Sequence, residues 1–110
     1  MKNLSNAIVD MALGRDGYVG MSAMQERNAI AHITTRAVGI AEVVAVTVEE
    51  DEYGTYNASV TFKAVANDEE VAHRLCAALN HRGNRLTEWL PDSDDLVVYV
   101  SGIRRDKLGI

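Results

Sequence analysis

The chain has few of the residues that cross-link, rigidify or anchor a protein. Its 110 residues include one cysteine, one proline and one tryptophan, and aromatic residues make up 5%. The single Cys76 excludes an internal disulfide, and a lone thiol is most common in a reducing compartment. No apolar run approaches the roughly 18 residues of a membrane span, and the start lacks a basic segment followed by an apolar stretch. We therefore expect a cytoplasmic protein that does not enter a membrane.

Sequence motifs of catalysis and metal binding are also missing. The chain has no Gly-x-Ser-x-Gly elbow, no His-Glu-x-x-His helix, no phosphate-binding loop and no kinase signature. His73, Cys76 and His81 form a local group, but closed zinc sites need four ligands and the familiar Cys/His spacings are absent. We expect His73 to pair with Glu69 or Glu70 and Cys76 to pack as a small apolar side chain. These absences favour a protein that is not an enzyme and has no metal or cofactor.

Negative charge is concentrated in the middle of the chain. The formal net charge is −5, and residues 41–103 alone carry twelve acidic against four basic side chains. Residues 104–110 carry three basic side chains against one acid. Nucleic-acid affinity depends on neutralising phosphates with Lys and Arg, so the acidic middle argues against direct nucleic-acid binding.

The first 38 residues have the apolar spacing of helices. Apolar side chains recur at helical spacing over residues 4–13, and Gly14 provides a left-handed stop. After a glycine-containing loop, Ser22 and Gln25 have the spacing of a capping box at the start of a second helix, which continues to about Val38. We predict two N-terminal helices.

The apolar period then changes from 3.6 to 2. Residues 40–50 have valines on both faces, which predicts a strand covered on both sides, as in the centre of a sheet. An acidic turn over residues 51–54 leads into residues 56–64, where apolar and polar side chains alternate. We therefore predict a β-hairpin.

A third helix and a second hairpin complete the predicted elements. Asn67 and Glu70 again have capping spacing, and the third helix they begin ends near Gly83. Short strands over residues 85–90 and 96–101 flank a turn that contains proline and aspartate. In a protein of this size a tryptophan is more often in the core than at an interface, and Tyr and Trp are also typical of binding hot spots.

The predicted architecture is one α+β domain over residues 1–103 followed by a basic C-terminal tail over residues 104–110. Two N-terminal helices precede the order β-β-α-β-β, and we expect a mainly antiparallel four-stranded sheet with the helices packed on one face. By area scaling, a 12.0 kDa chain buries about 65% of its unfolded surface, which is enough for a core of its own.

The predicted connections bring acidic stretches together. A right-handed crossover through the third helix makes the third strand parallel to the second, and the turn over residues 91–95 then lies at the same end of the sheet as Asn67. Acids at helix starts and in turns also have ordinary structural roles, and this alternative stays open. The candidate partner-binding carboxylates are Asp68, Glu69, Glu70, Asp92, Asp94 and Asp95 at one end of the sheet and Glu49, Glu50, Asp51 and Glu52 at the other.

Small size, acidity and crowded carboxylates favour a non-enzymatic protein-binding regulator or inhibitor. Complementary charge raises association rates and selects partners, so the expected partner is a basic, nucleic-acid-binding surface of a larger protein or nucleoprotein complex. Phage-encoded inhibitors of host defence nucleases include small acidic proteins of this type. Two alternatives stay open: a structural subunit of a homodimer or larger homo-oligomer, and a small enzyme or ligand-binding domain around His73 and Cys76.

Overall fold

The structure of the chain, a computed structural model, describes residues 21–110. The predicted N-terminal helix over residues 4–13 lies outside this range. Within it the prediction of an α+β fold with a four-stranded antiparallel sheet is confirmed. The elements are α1 (Ala23–Ala37), β1 (Val43–Glu50), β2 (Tyr56–Phe62), α2 (Asp68–Ala78), β3 (Arg85–Trp89), β4 (Leu96–Ile103) and a 3-10 turn (Arg105–Lys107).

Helix α1 begins at the predicted capping box. The Ser22 hydroxyl accepts a hydrogen bond from the Gln25 backbone N–H, and the Gln25 side chain accepts one from the Ser22 N–H, at 3.1 and 3.0 Å. These two contacts satisfy N–H groups that the first helical turn leaves without partners. Ala29, Ile33 and Ala37 follow at helical spacing and are fully buried, so they turn this side of α1 towards the sheet.

The sheet has the strand order β1-β2-β4-β3, and all neighbouring strands are antiparallel. Strand β3 therefore runs in the same direction as β2, as predicted, with β4 inserted between them. Phe62 and Trp89 both pair with Leu96, which places the β3–β4 turn at the end of the sheet where β2 finishes. Tyr56 pairs with Glu50 and Ile103, so the β1–β2 turn lies at the other end.

The prediction that β1 is a central strand is wrong, because β1 lies at the edge of the sheet. A bulge between Val43 and Ala45 breaks its pairing with β2 and leaves Val44 52% exposed. Val48 is buried on the helix side, whereas Thr47 is exposed on the opposite face. A bulge in an edge strand interrupts the row of free backbone groups and so limits pairing with a further strand.

Both helices cover the same face of the sheet. Val60 and Val98, on the two inner strands, are fully buried in one cluster with Ile33 of α1 and Leu75 of α2. Side chains alternate between the two faces of a sheet along each strand. The residues next to Val60 in β2 and next to Val98 in β4 therefore point to the other face, which no described helix covers. Neither described helix has the length and apolar composition needed to cross a membrane.

Helix α2 ends at Ala78, before the end that was predicted near Gly83. Asn80, with φ 53°, has the left-handed conformation that follows the end of the helix. The Asn80 and His81 backbone N–H groups donate to the carbonyls of Ala77 and Cys76 at 3.0 and 2.9 Å. This is the pattern of a Schellman motif, which satisfies the last carbonyls of a helix.

The basic C-terminal tail is packed against the domain. Leu108 is fully buried in the main core, and Ile110 packs against the same cluster. The Lys107 and Leu108 N–H groups donate to the carbonyls of Arg104 and Arg105 at 2.9 and 3.1 Å. The basic side chains of the tail are therefore held at the end of β4 close to the β1–β2 turn.

Candidate functional site

The uncovered face of the sheet is polar at its centre and carries apolar groups towards β3. We call it the open face. Its strand residues are Ala45, Thr47, Glu49, Asn57, Ser59, Thr61, Leu86, Glu88, Val97, Tyr99 and Ser101. These positions include two carboxylates and no lysine or arginine. The open face is therefore electronegative without a large apolar patch.

Two exposed apolar groups lie side by side on the open face. Leu86 and Tyr99 are paired in neighbouring strands and are 66% and 39% exposed. The Tyr99 hydroxyl donates to Glu88 at 2.9 Å, and this bond to a carboxylate raises the pKa of the Tyr99 hydroxyl. Trp89, for which a core position was favoured, is 43% exposed at the end of β3. Its pairing with the buried Leu96 places Trp89 on the helix-covered face. Exposed Tyr and Trp side chains are typical of protein-binding surfaces.

We call the β3–β4 turn with the first turn of α2 the acidic end. The Thr87 hydroxyl of β3 donates to Asp68 at 3.1 Å, so α2 starts beside the middle of β3. Three residues along a strand cover about 10 Å, which is the distance from Thr87 to Leu90 at the start of the turn. The start of α2 therefore lies about 10 Å from the start of the β3–β4 turn.

Two of the three acids at the start of α2 have structural partners. The Asp68 carboxylate accepts hydrogen bonds from Thr87 and from the Glu69 backbone N–H. Glu69 forms an ion pair with Arg85 at 3.5 Å, so it does not pair with His73 as we predicted. Glu70 is exposed, and its backbone N–H donates to the Asn67 cap at 3.0 Å. Within residues 21–110, the Glu70 carboxylate is thus the one of the three that forms no ion pair or hydrogen bond.

The hydrogen bonds that close the turn over residues 91–95 do not involve its exposed carboxylates. The Leu90 N–H donates to the Asp95 carbonyl at 3.0 Å, and the Asp95 N–H donates to the Ser93 hydroxyl at 3.2 Å. Asp92 and Asp94 are exposed, and no described cation lies within ion-pair distance of either. Their carboxylates are therefore available to a partner.

The acids of the β1–β2 turn have divided roles. Asp51 accepts hydrogen bonds from the backbone N–H groups of Tyr53 and Thr55 and from the Thr55 hydroxyl. The hydroxyl contact, together with the backbone donors, lowers the pKa of Asp51. Burial raises the pKa of Glu50, while the Arg105 guanidinium opposes this shift. Both side chains belong to the local structure, whereas Glu49 and Glu52 are exposed and have no ion-pair partner among residues 21–110.

The residues around which we considered a small enzyme or ligand-binding domain lie at a hollow near the end of α2. His73, Cys76 and His81 line a space of about 460 Å³, but the Cys76 side chain is buried and His73 is exposed. His81 Nε2 lies 3.0 Å from the Ser101 carbonyl, and since a carbonyl only accepts, this nitrogen donates. Among residues 21–110 no group of three His, Cys, Asp or Glu side chains is placed to hold a metal ion.

Sequence reasoning did not find the cluster of cations beside this hollow. Arg82 and Gly83 of the α2–β3 loop line a second hollow together with Arg104 and Lys107 of the tail. The two segments are about twenty residues apart and meet because β3 pairs with β4 up to Val100. The only sequence signal is that each segment carries basic residues, which does not indicate that they meet.

Comparisons with known proteins give no relative. No protein-family model, curated protein or solved structure matches the chain. Its function is therefore argued from the surfaces described above.

Proposed function

We propose that the chain is a small, non-enzymatic protein-binding regulator or inhibitor that occupies a basic surface of a larger protein or nucleoprotein complex. The observation that carries the proposal is the exposed pair Asp92 and Asp94, whose carboxylates do not help to close their own turn. Carboxylates of this kind raise association rates with basic partners and discriminate against acidic ones.

The contact surface that fits the proposal is the acidic end together with the β3 side of the open face. Asp92 and Asp94 supply charge, and Leu86 and Tyr99 supply exposed contact area on the open face. Trp89 is exposed at the end of β3 but pairs with the buried Leu96, so it projects from the other face of the sheet. Leu86 and Tyr99 are neighbours across β3 and β4, and Trp89 ends the strand that leads into the turn. An apolar centre with a charged rim is the usual arrangement of a protein interface.

Inhibition of a nucleic-acid-binding protein is the finer form of the proposal. A basic surface that binds phosphates accepts carboxylates through the same Lys and Arg side chains. A protein that covers such a surface excludes the nucleic acid without any chemical step. The mode of action is that of phage-encoded inhibitors of host defence nucleases, and it predicts competition between this protein and an oligonucleotide for the partner.

Charge reversal at the turn tests the proposal. The partner is recovered from cells of the source organism at about 50 mM salt, identified by mass spectrometry, purified and titrated calorimetrically. We expect Asp94→Lys to weaken binding by about tenfold, because it replaces an attractive charge by a repulsive one at the interface.

Glu26→Lys is the matched control, because Glu26 is an exposed carboxylate on α1 and its reversal changes the net charge equally. The proposal requires that this variant bind within twofold of the unmodified protein and that affinity fall as salt rises to about 300 mM. Equal loss in both variants, or affinity that does not respond to salt, contradicts it.

A further inference from the structure

Cations from two separate elements line a groove at the end of the sheet opposite the acidic end. We call it the basic groove; it is formed by residues 80–83 with Arg85, Arg104 and Lys107. It consists of two adjacent hollows of about 460 and 470 Å³, and residues 80–83 line both. Arg85 lines the first hollow, and Arg104 and Lys107 line the second. Four lysine or arginine side chains line it, and none of the described residues that line it is a carboxylate. Such a concentration of positive charge is unexpected in a chain with a net charge of −5.

The loop wall of the groove is held in place by its own contacts. The Schellman motif fixes the Asn80 and His81 backbone, and the His81 ring bonds to the Ser101 carbonyl of β4. A Cβ atom at Gly83 would overlap the His81 ring, so the ring packs directly on the glycine backbone. The Ser101 N–H also donates to the Asn84 carbonyl at 3.1 Å. The Arg82 side chain therefore extends from a rigid loop.

The tail wall is fixed by buried residues on both sides. Ile103 and Leu108 are fully buried, and the segment between them carries Arg104 and Lys107 at the start and end of the 3-10 turn. The backbone of this short segment has little freedom to move away from the groove. The backbone of both walls therefore needs little ordering when a ligand binds, which favours binding of a small ligand.

Acidic side chains neutralise only part of the groove. Arg85 pairs with Glu69 at 3.5 Å, and Arg104 pairs with Asp106 at 3.3 Å through its Nε atom. Arg82 and Lys107 have no ion-pair partner in the described part of the chain. The negative partial charge at the end of α2 accounts for a cation on the α2–β3 loop, but it does not account for the cations that the tail adds.

We propose that the basic groove binds a small phosphorylated molecule, such as a nucleoside diphosphate. A guanidinium group can donate two hydrogen bonds to two oxygens of one phosphate, and a lysine adds a further positive charge. Hollows of this volume are typical of small-molecule sites. Glu69 and Asp106 lie beside Arg85 and Arg104 and repel a long polyanion that would extend past the central cations. This site does not include the β3–β4 turn, and it does not depend on the function proposed for that turn.

Titration with phosphorylated probes tests the site. Pyrophosphate and ADP are added separately to the ¹⁵N-labelled full chain at about 20 mM salt, where screening is weak. We expect both probes to shift the amide signals of residues 80–84 and 102–107. Arg82→Gln removes one charge-assisted contact from an exposed side chain and should weaken binding by about tenfold.

Lys63→Gln is the matched control, because it removes the same charge from an exposed position at the opposite end of the sheet. The proposal requires that the affinity of this variant for both probes be within twofold of that of the unmodified chain. It also requires that the chain not bind vesicles of anionic phospholipid. It is overturned if neither probe shifts these amides, if Lys63→Gln weakens binding as much as Arg82→Gln, or if only vesicles or an oligonucleotide bind.

Discussion

At the scale of single residues, Gly83 is required by the packing of a neighbouring ring. An alanine Cβ at this position would overlap the His81 ring and lie 3.1 Å from the Ser101 carbonyl. We expect Gly83→Ala to displace the ring, break its hydrogen bond to Ser101 and cost about 1–3 kcal/mol in the free energy of unfolding, measured by urea denaturation. The double variant Gly83→Ala/His81→Ala should lose less than the sum of the single variants, because the overlap is absent. A Gly83→Ala variant as stable as the unmodified chain contradicts this packing.

The histidine beneath the tail makes stability depend on pH. Burial, and then the Arg36 guanidinium, lower the pKa of His32, while a hydrogen bond with the Lys107 backbone acts in the opposite direction. Because the folded pKa lies below the unfolded one, the unfolded state binds more protons between them. Stability that is complete at pH 7 should therefore decrease as the pH falls below about 6.5. In the His32→Gln variant the unfolding midpoint should no longer decrease in this pH range because of His32. A decrease as large as in the unmodified chain contradicts the role given to His32.

At the scale of the elements, the sequence predicted those whose signals are local. The start of α1 depends on Ser22 and Gln25, which are three residues apart, and the strict alternation of β2 matches its buried positions Tyr56, Ala58, Val60 and Phe62. The edge position of β1 was not predictable, because valines on both faces resemble the pattern of a covered strand. The bulge at Val44 accounts for the exposure of one of these valines, and this bulge is visible only in the pairing of β1 with β2.

The same limit applies to the candidate site. The grouping of acids at two ends of the sheet follows from the two hairpins and the crossover through α2, which the sequence predicts, and not from the strand order, which it did not predict. Which carboxylates are free does not follow from it, because Asp51 and Asp68 are used by Thr55 and Thr87 and this depends on side-chain placement. The basic groove was missed for a further reason, since its two walls meet only through the register of β3 with β4.

At the scale of the whole molecule, charge is distributed unevenly over the sheet. One end carries the free carboxylates Asp92 and Asp94, and the other carries the basic groove beside the free acids of the β1–β2 turn. An acidic surface keeps copies of the chain apart and attracts basic partners. The homo-oligomer alternative would instead use an exposed strand edge such as that of β3, where a second copy would cover Leu86 and its neighbour Tyr99.

Mapping of the bound surface tests the central claim most directly. Amide spectra of the ¹⁵N-labelled chain are recorded free, on dilution, and with the purified partner at about 50 mM salt. The account predicts that the partner shifts the signals of residues 86–99 around the β3–β4 turn, and that dilution of the free chain leaves them unchanged. Partner-induced shifts confined to the outer side of α1, or shifts of Leu86 and Tyr99 on dilution alone, would contradict it.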